Sequence, residues 1–109
     1  MASIWILDVT ESLGCWKDTS KIKLLDSLEK TDVILDGPYN NRSDPLEKCY
    51  KVVSKLGYPL FGLRNGGLCA GSKNAHENYT KQGKGMGCVG GKGTHKENDI
   101  YFINSKSKF

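Results

Sequence analysis

The pattern of apolar and polar positions is most regular between residues 44 and 71, where it predicts a helix followed by a hairpin. Apolar residues recur there at helical spacing on one face, with lysines on the others: Leu46, Cys49, Tyr50, Val53 and Leu56. Pro45 suits the first helical position, and Gly57 suits a left-handed end. Asp44 and Glu47 have the spacing of a capping box, in which each side chain accepts from the other's backbone N–H. The pattern therefore predicts one amphipathic helix between Asp44 and Gly57.

Shorter apolar runs predict strands around this helix. The apolar run Leu60–Leu63, the turn residues Gly66-Gly67 and then Leu68-Cys69 predict a hairpin directly after it. Further strands are predicted at four places: Ser3–Val9, Leu13–Asp18, Val33–Leu35 and Ile100–Ile103. Residues 21–30 fit either a helix or an irregular extended segment, and Ala75–Tyr79 predicts a single helical turn. We therefore expect an α+β fold with one central helix packed on a short antiparallel sheet.

Length and charge narrow the class of protein. The 109 residues form one predicted domain, 1–109, because no repeat or linker interrupts the chain. The net charge of +4 is spread over scattered lysines, so we expect no nucleic-acid binding. No apolar run approaches the ~20 residues of a membrane span, and Met1–Leu7 lacks the features of a signal peptide. We therefore expect no membrane insertion.

The four cysteines indicate disulfides rather than a metal site. No Cys-x-x-Cys pair is present, and the two histidines, His76 and His95, match no ligand pattern. Cys49 on the inner helix face and Cys69 on the hairpin are placed so that a disulfide could join the two elements. Two acceptor sequons, 41–43 and 78–80, also fit a secreted chain. We expect no metal or other cofactor, and composition alone leaves open both a secreted, extracellular protein and an intracellular one.

The order of these elements resembles the WSC domain, a small cysteine-rich extracellular module. The family opening Gly-Cys-Tyr-x-Asp corresponds to residues 14–18, and its cysteine-bearing helix corresponds to 46–56. The family's Gly-Tyr, apolar strand and Gly-x-x-Cys turn correspond to 57–69. Its closing cysteine, glycine-rich turn and final strand correspond to 88–91 and 99–102. The resemblance covers about residues 13–103. It leaves a predicted N-terminal strand in 1–12 and a polar tail at 104–109. It is closest to the reduced-cysteine forms found in secreted proteins of marine invertebrates.

The resemblance implies a WSC/PAN-like fold and two disulfides. A typical member has eight cysteines. Two of the positions without a cysteine here are Val53 and Gly71, so both partners of one family disulfide have been lost together. The bridges that the family pattern leaves are Cys15–Cys88 and Cys49–Cys69.

The resemblance also implies carbohydrate binding by a lectin-like module without catalysis. Sugar sites combine an aromatic face with amides, carboxylates or arginines that bind hydroxyl pairs. Such groups lie in the loop before the helix, at the predicted hairpin tip and after the hairpin: Tyr39, Asn40, Arg42, Arg64, Asn65, Glu77, Asn78 and Tyr79. We expect a glycan to bind where these loops converge on one face.

Other interpretations of the same residues stay open. The polar loops are equally typical of a solvated surface. Arg42 can instead anchor the start of the helix or pair with a nearby acid, and Trp16 is typical of a packing residue beside Cys15. Glu77 beside His76 is the only adjacent acid–base pair in the sequence, and neighbours on a helical turn do not face each other, so we expect no enzyme. The alternative function is a protein-binding, adhesive or defensive module of inhibitor or toxin type, in which the apolar strand Ile4–Leu7 would serve a homodimer or a partner.

Overall fold

The computed structural model describes residues 10–19, 21, 23–88 and 93–103. Within them, five strands form one antiparallel sheet: β1 (Thr10–Lys17), β2 (Asp26–Ser27), β3 (Leu60–Arg64), β4 (Leu68–Gly71) and β5 (Glu97–Ile103). The strand order is β1-β5-β3-β4-β2, which puts β3 at the centre. All five residues of β3 are buried, as expected for a central strand. The predicted strand Ser3–Val9, the proposed dimer strand Ile4–Leu7 and the tail lie outside the described residues.

The main helix, α1 (Pro45–Leu56), packs on the sheet through the face that the sequence indicates. Cys49, Tyr50 and Val53 are buried, and Gly57 ends the helix in the left-handed conformation with φ 77°. Leu56 was expected on the same face but is 48% exposed, whereas Val52 is 2% exposed. Because α1 also contacts the segment 33–35, its buried arc is shifted from the predicted one.

The capping box predicted at the start of α1 is not formed. Asp44 adopts φ 48°, ψ 52° and its side chain makes no cap hydrogen bond. The carboxylate of Glu47 lies 3.2 Å from the ammonium group of Lys51 one turn later. Glu47 therefore supports the helix through an ion pair rather than through a capping box.

The predicted strand Val33–Leu35 is wrong, because these residues form a 3-10 helix. The side chain of Asp32 accepts from the backbone N–H of Ile34 at 3.0 Å, which turns the chain into a helical conformation. Only Leu35 is buried in the segment, whereas Val33 is 82% exposed. In this apolar run one residue is therefore buried and another lies on the surface, and the run does not form a strand of the sheet.

Side chains alternate between two core layers on opposite faces of the sheet. Phe61 and Leu63 join the layer under α1, while Leu60 joins a second layer with Leu25 and Ile100. The second layer is covered by residues around α2 (Ala75–Asn78), the helical turn predicted from the sequence. No helix in the described part of the chain has the length and apolar character needed to cross a bilayer.

Two disulfides fasten the fold, with the pairing implied by the resemblance. Cys49–Cys69 joins α1 to β4 with a Cα–Cα distance of 5.2 Å. Cys15–Cys88 joins β1 to the segment before β5 with a Cα–Cα distance of 5.8 Å. The protein is thus a small α+β domain with one main helix on an antiparallel sheet and two disulfides. Such bonds are compatible with an extracellular location.

Candidate functional site

Three of the residues expected to bind sugar meet at the turn between β3 and β4. Residues Tyr39–Asn41 form a second 3-10 helix that lies against this turn. The side-chain amide of Asn65 donates to the hydroxyl of Tyr39 at 3.3 Å. Asn40 lies next to Tyr39 and is exposed, as is Asn65. The chain thereby places a half-buried aromatic ring beside two exposed amides.

Two glycines in the turn make this approach feasible. A Cβ atom on Gly67 would lie 2.3 Å from the carbonyl oxygen of Tyr39, closer than any real contact. A Cβ on Gly66 would lie 3.2 Å from the Cα of Asn40, and Gly66 has φ +95°. The sequence indicated only a turn at these glycines. Their second role is to let the 3-10 helix approach closely, which depends on residues 26 and 28 positions away and carries no local signal.

Arg42, expected to bind sugar hydroxyls, is occupied inside the protein. Its side chain is 2% exposed and forms a bidentate pair with Glu29, with N–O distances of 2.6 and 2.8 Å. The same guanidinium group donates to the carbonyl oxygens of Gly67 and Leu35. The alternative interpretation, pairing with a nearby acid, is confirmed. Arg42 fixes the position of the loop beneath Tyr39 instead of reaching solvent.

Arg64 is likewise buried rather than placed at an exposed hairpin tip. Its Nη1 donates to Asp18 at 3.0 Å, to Asn98 at 3.2 Å and to the carbonyl oxygen of Leu25 at 3.2 Å. Burial lowers the pKa of Arg64, and the carboxylate of Asp18 opposes that shift. A guanidinium group keeps its charge in proteins, so this cluster is a buried ion pair. It ties β3 to β5 and to the segment before β2.

The other three predicted residues lie on a different element. Tyr79 follows α2 and meets Trp16 edge-to-face, with ring centroids 5.6 Å apart. Glu77 is largely exposed, and its carboxylate lies 3.8 Å from His76; Asn78 is half-buried. Trp16 packs in the second core layer and donates to the carbonyl oxygen of Leu13 at 2.8 Å, as a packing residue should. Tyr79 packs against Trp16, whereas Tyr39 contacts Asn65, so the two tyrosines have different partners. The convergence of the two loops on one face stays a prediction.

Sequence reasoning missed the acids and amides that hold the arginines. Glu29 lies in the segment left ambiguous between helix and extended chain, and it also accepts from the backbone N–H of Cys69 at 3.0 Å. Asp18 and Asn98 are separated by 80 positions, yet their side chains are 2.9 Å apart. Such pairs have no local periodicity, and only the folded sheet brings them together.

Neither a family model nor a curated protein nor a solved structure matches this chain. A functional assignment therefore depends on the geometry of its own residues.

Proposed function

We propose that this protein is a secreted, lectin-like module without catalysis, and that it binds carbohydrate on the surface formed by Tyr39, Asn40 and Asn65. The observation that carries the proposal is the 3.3 Å contact between the Tyr39 hydroxyl and the Asn65 amide. It joins residues from two separate elements into one patch. An aromatic ring offers its face to the C–H surface of a sugar, and amides bind adjacent hydroxyls.

The surroundings of the patch favour a preformed site. Arg42 holds the loop through Glu29 and the Gly67 carbonyl, and Gly67 allows the close approach. Ligand groups held in place before binding lose less conformational entropy on association. The resemblance to WSC domains supports the same function. Glu77, Asn78 and Tyr79 are a second candidate surface rather than part of the first.

The test is a titration of ¹⁵N-labelled protein with neutral and acidic oligosaccharides, followed by amide NMR shifts. We expect saturable shifts at residues 39–41 and 65–67. Tyr39→Ala should abolish them, whereas Tyr39→Phe keeps the ring and should retain part of the affinity. Lys73→Ala, an exposed change in the loop before α2, serves as the control.

Two results would count against the proposal. Saturable shifts confined to residues 77–79 and Trp16 would move the sugar site to the second surface. A lack of shifts with every glycan class would favour the alternative, an adhesive or defensive module that binds protein.

A further inference from the structure

A groove of about 530 Å³ lies between α1 and the first 3-10 helix, Val33–Leu35. Six residues line it: Asp32, Ile34, Tyr50, Lys51, Ser54 and Lys55. It is separate from the proposed sugar patch, since the two share no lining residue. Its volume is within the range of about 300–1,000 Å³ that small-molecule sites occupy.

The inner wall of the groove is apolar. Tyr50 is 3% exposed and belongs to the core layer under α1, and Ile34 packs against the same layer. Val33, the neighbour of Ile34 in the chain, is 82% exposed but does not line the groove. A ligand with a hydrocarbon chain or ring can therefore remove apolar surface from water here, at about 25 cal/mol per Å².

The rim of the groove is cationic toward solvent. The side chains of Lys51 and Lys55 are 51% and 69% exposed, whereas their partners Glu47 and Asp32 are only 18% and 17% exposed. The Asp32 carboxylate accepts from both Lys55 and the backbone N–H of Ile34. In each pair the lysine side chain is thus the more solvent-exposed partner, and the acid is already bonded. Exposed ion pairs of this kind contribute at most about 1 kcal/mol, so an incoming anion can compete for them.

We propose that this groove binds a small amphiphilic anion, an apolar chain or ring that carries one carboxylate or sulfonate group. The apolar part would lie against Ile34 and Tyr50, and the anionic group would contact Lys51 and Lys55. Only six residues line the groove, whereas stable protein interfaces involve about 20–30 residues on each partner, so the groove favours this occupant over a folded protein. The inference does not depend on carbohydrate binding, and either one can fail alone.

The experiment compares decanoate with decanol, which has the same chain and no charge. Each is titrated below its solubility or micelle limit into ¹⁵N-labelled protein. We expect decanoate to give saturable shifts centred on Ile34, Tyr50 and Ser54. Decanol should bind several-fold more weakly, as expected when one exposed ion-pair contact is lost.

Variants separate the two parts of the proposal. The double change Lys51→Gln, Lys55→Gln should reduce decanoate affinity to that of decanol, while Lys73→Gln should leave it unchanged. Ser54→Trp, which fills the groove, should abolish both, and the amide spectrum of each variant reports whether it is folded.

Three outcomes of these titrations would overturn the proposal. They are equal binding of decanol and decanoate, wild-type decanoate affinity in the double lysine variant, and scattered shifts that never saturate. A short peptide of alternating aspartate and leucine that binds the groove when decanoate does not would also overturn it, in favour of a protein partner.

Discussion

At the scale of single residues, the buried polar and charged side chains are stabilised by hydrogen-bond partners. No buried side-chain nitrogen or oxygen among the described residues lacks a hydrogen bond. Burial raises the pKa of Glu29, but hydrogen bonds from Arg42 and the Cys69 N–H outweigh it and leave the pKa below its usual 4.5. A carboxyl with a lowered pKa stabilises the fold above its unfolded pKa. That contribution is lost as the pH falls through the folded pKa.

Arg42→Met should destabilise the protein by about 1–3 kcal/mol, because it leaves the partly buried Glu29 carboxylate without its cation and two backbone carbonyls without their donor. The added change Glu29→Gln removes the orphaned charge and keeps an acceptor for the Cys69 N–H. The double variant should therefore recover part of the loss. Urea unfolding at neutral pH measures both. A double variant less stable than Arg42→Met alone would contradict this account.

Asp99 should behave in the opposite way to Glu29. Burial raises its pKa, and the hydrogen bond from the Tyr101 hydroxyl at 3.1 Å only partly opposes the shift. The folded state therefore holds this proton more tightly than the unfolded state. Its ionisation removes stability as the pH rises above the unfolded pKa, near 3.8.

Asp99→Asn should accordingly be more stable than the wild type at pH 7, with the gain disappearing near pH 3. Glu29→Gln serves as the matched control, since it should lose stability at pH 7 and approach the wild type at low pH. Urea unfolding of the three proteins at both pH values decides the signs. A gain for Asp99→Asn that is the same at both pH values would show that packing, rather than titration, causes it.

At the scale of elements, α1 carries most of the contact with the sheet on its side. Val53 is fully buried in the layer that contains Phe61 and Cys69. Val53→Asp should therefore cost more than about 3 kcal/mol, because an unpaired charge would enter that layer. Lys51→Gln, on the exposed side, should change stability by about 0.5 kcal/mol or less. Similar urea midpoints for the two variants would contradict this packing.

The contact between the second 3-10 helix and the hairpin turn is the other decisive element pair. Gly67→Ala would force a Cβ atom onto the Tyr39 carbonyl, so it should displace the helix and disturb the proposed sugar patch without touching its side chains. Gly83→Ala is the control, because Gly83 has φ +89° but open space around it. Only Gly67→Ala should shift the amide signals of residues 39–41. Unchanged signals there would show that the turn tolerates a side chain.

At the scale of the whole molecule, the two disulfides differ in burial. Cys49 and Cys69 are both fully buried, whereas Cys15 and Cys88 are half-exposed. Thiol–disulfide exchange requires access of a thiolate to a sulfur atom. Limited dithiothreitol followed by alkylation and peptide mass mapping should label Cys15 and Cys88 first. The Cys15–Cys88 bridge spans 73 positions and the Cys49–Cys69 bridge spans 20, so opening the first should cost about 4 kcal/mol and opening the second about 3. Equal labelling of all four cysteines would contradict the difference in access.

The local order of the sequence determined the main elements. Apolar spacing and Gly57 were enough to predict α1, and short apolar runs around Gly66 and Gly67 predicted the hairpin. These features depend on neighbours within a few residues, which is why they can be recognised in the chain. The family pattern implied the disulfide pairing.

Only the tertiary structure decided which polar groups face solvent. Arg42 and Arg64 look like surface residues in the sequence, yet partners 13 and 46 positions away hold them inside. The 3-10 helix at Val33–Leu35 likewise arises because Asp32 turns an apolar run that the sequence pattern assigns to a strand. Long-range pairing of charges leaves no periodic signal along the chain, so the composition of the candidate site could be settled only in the folded molecule.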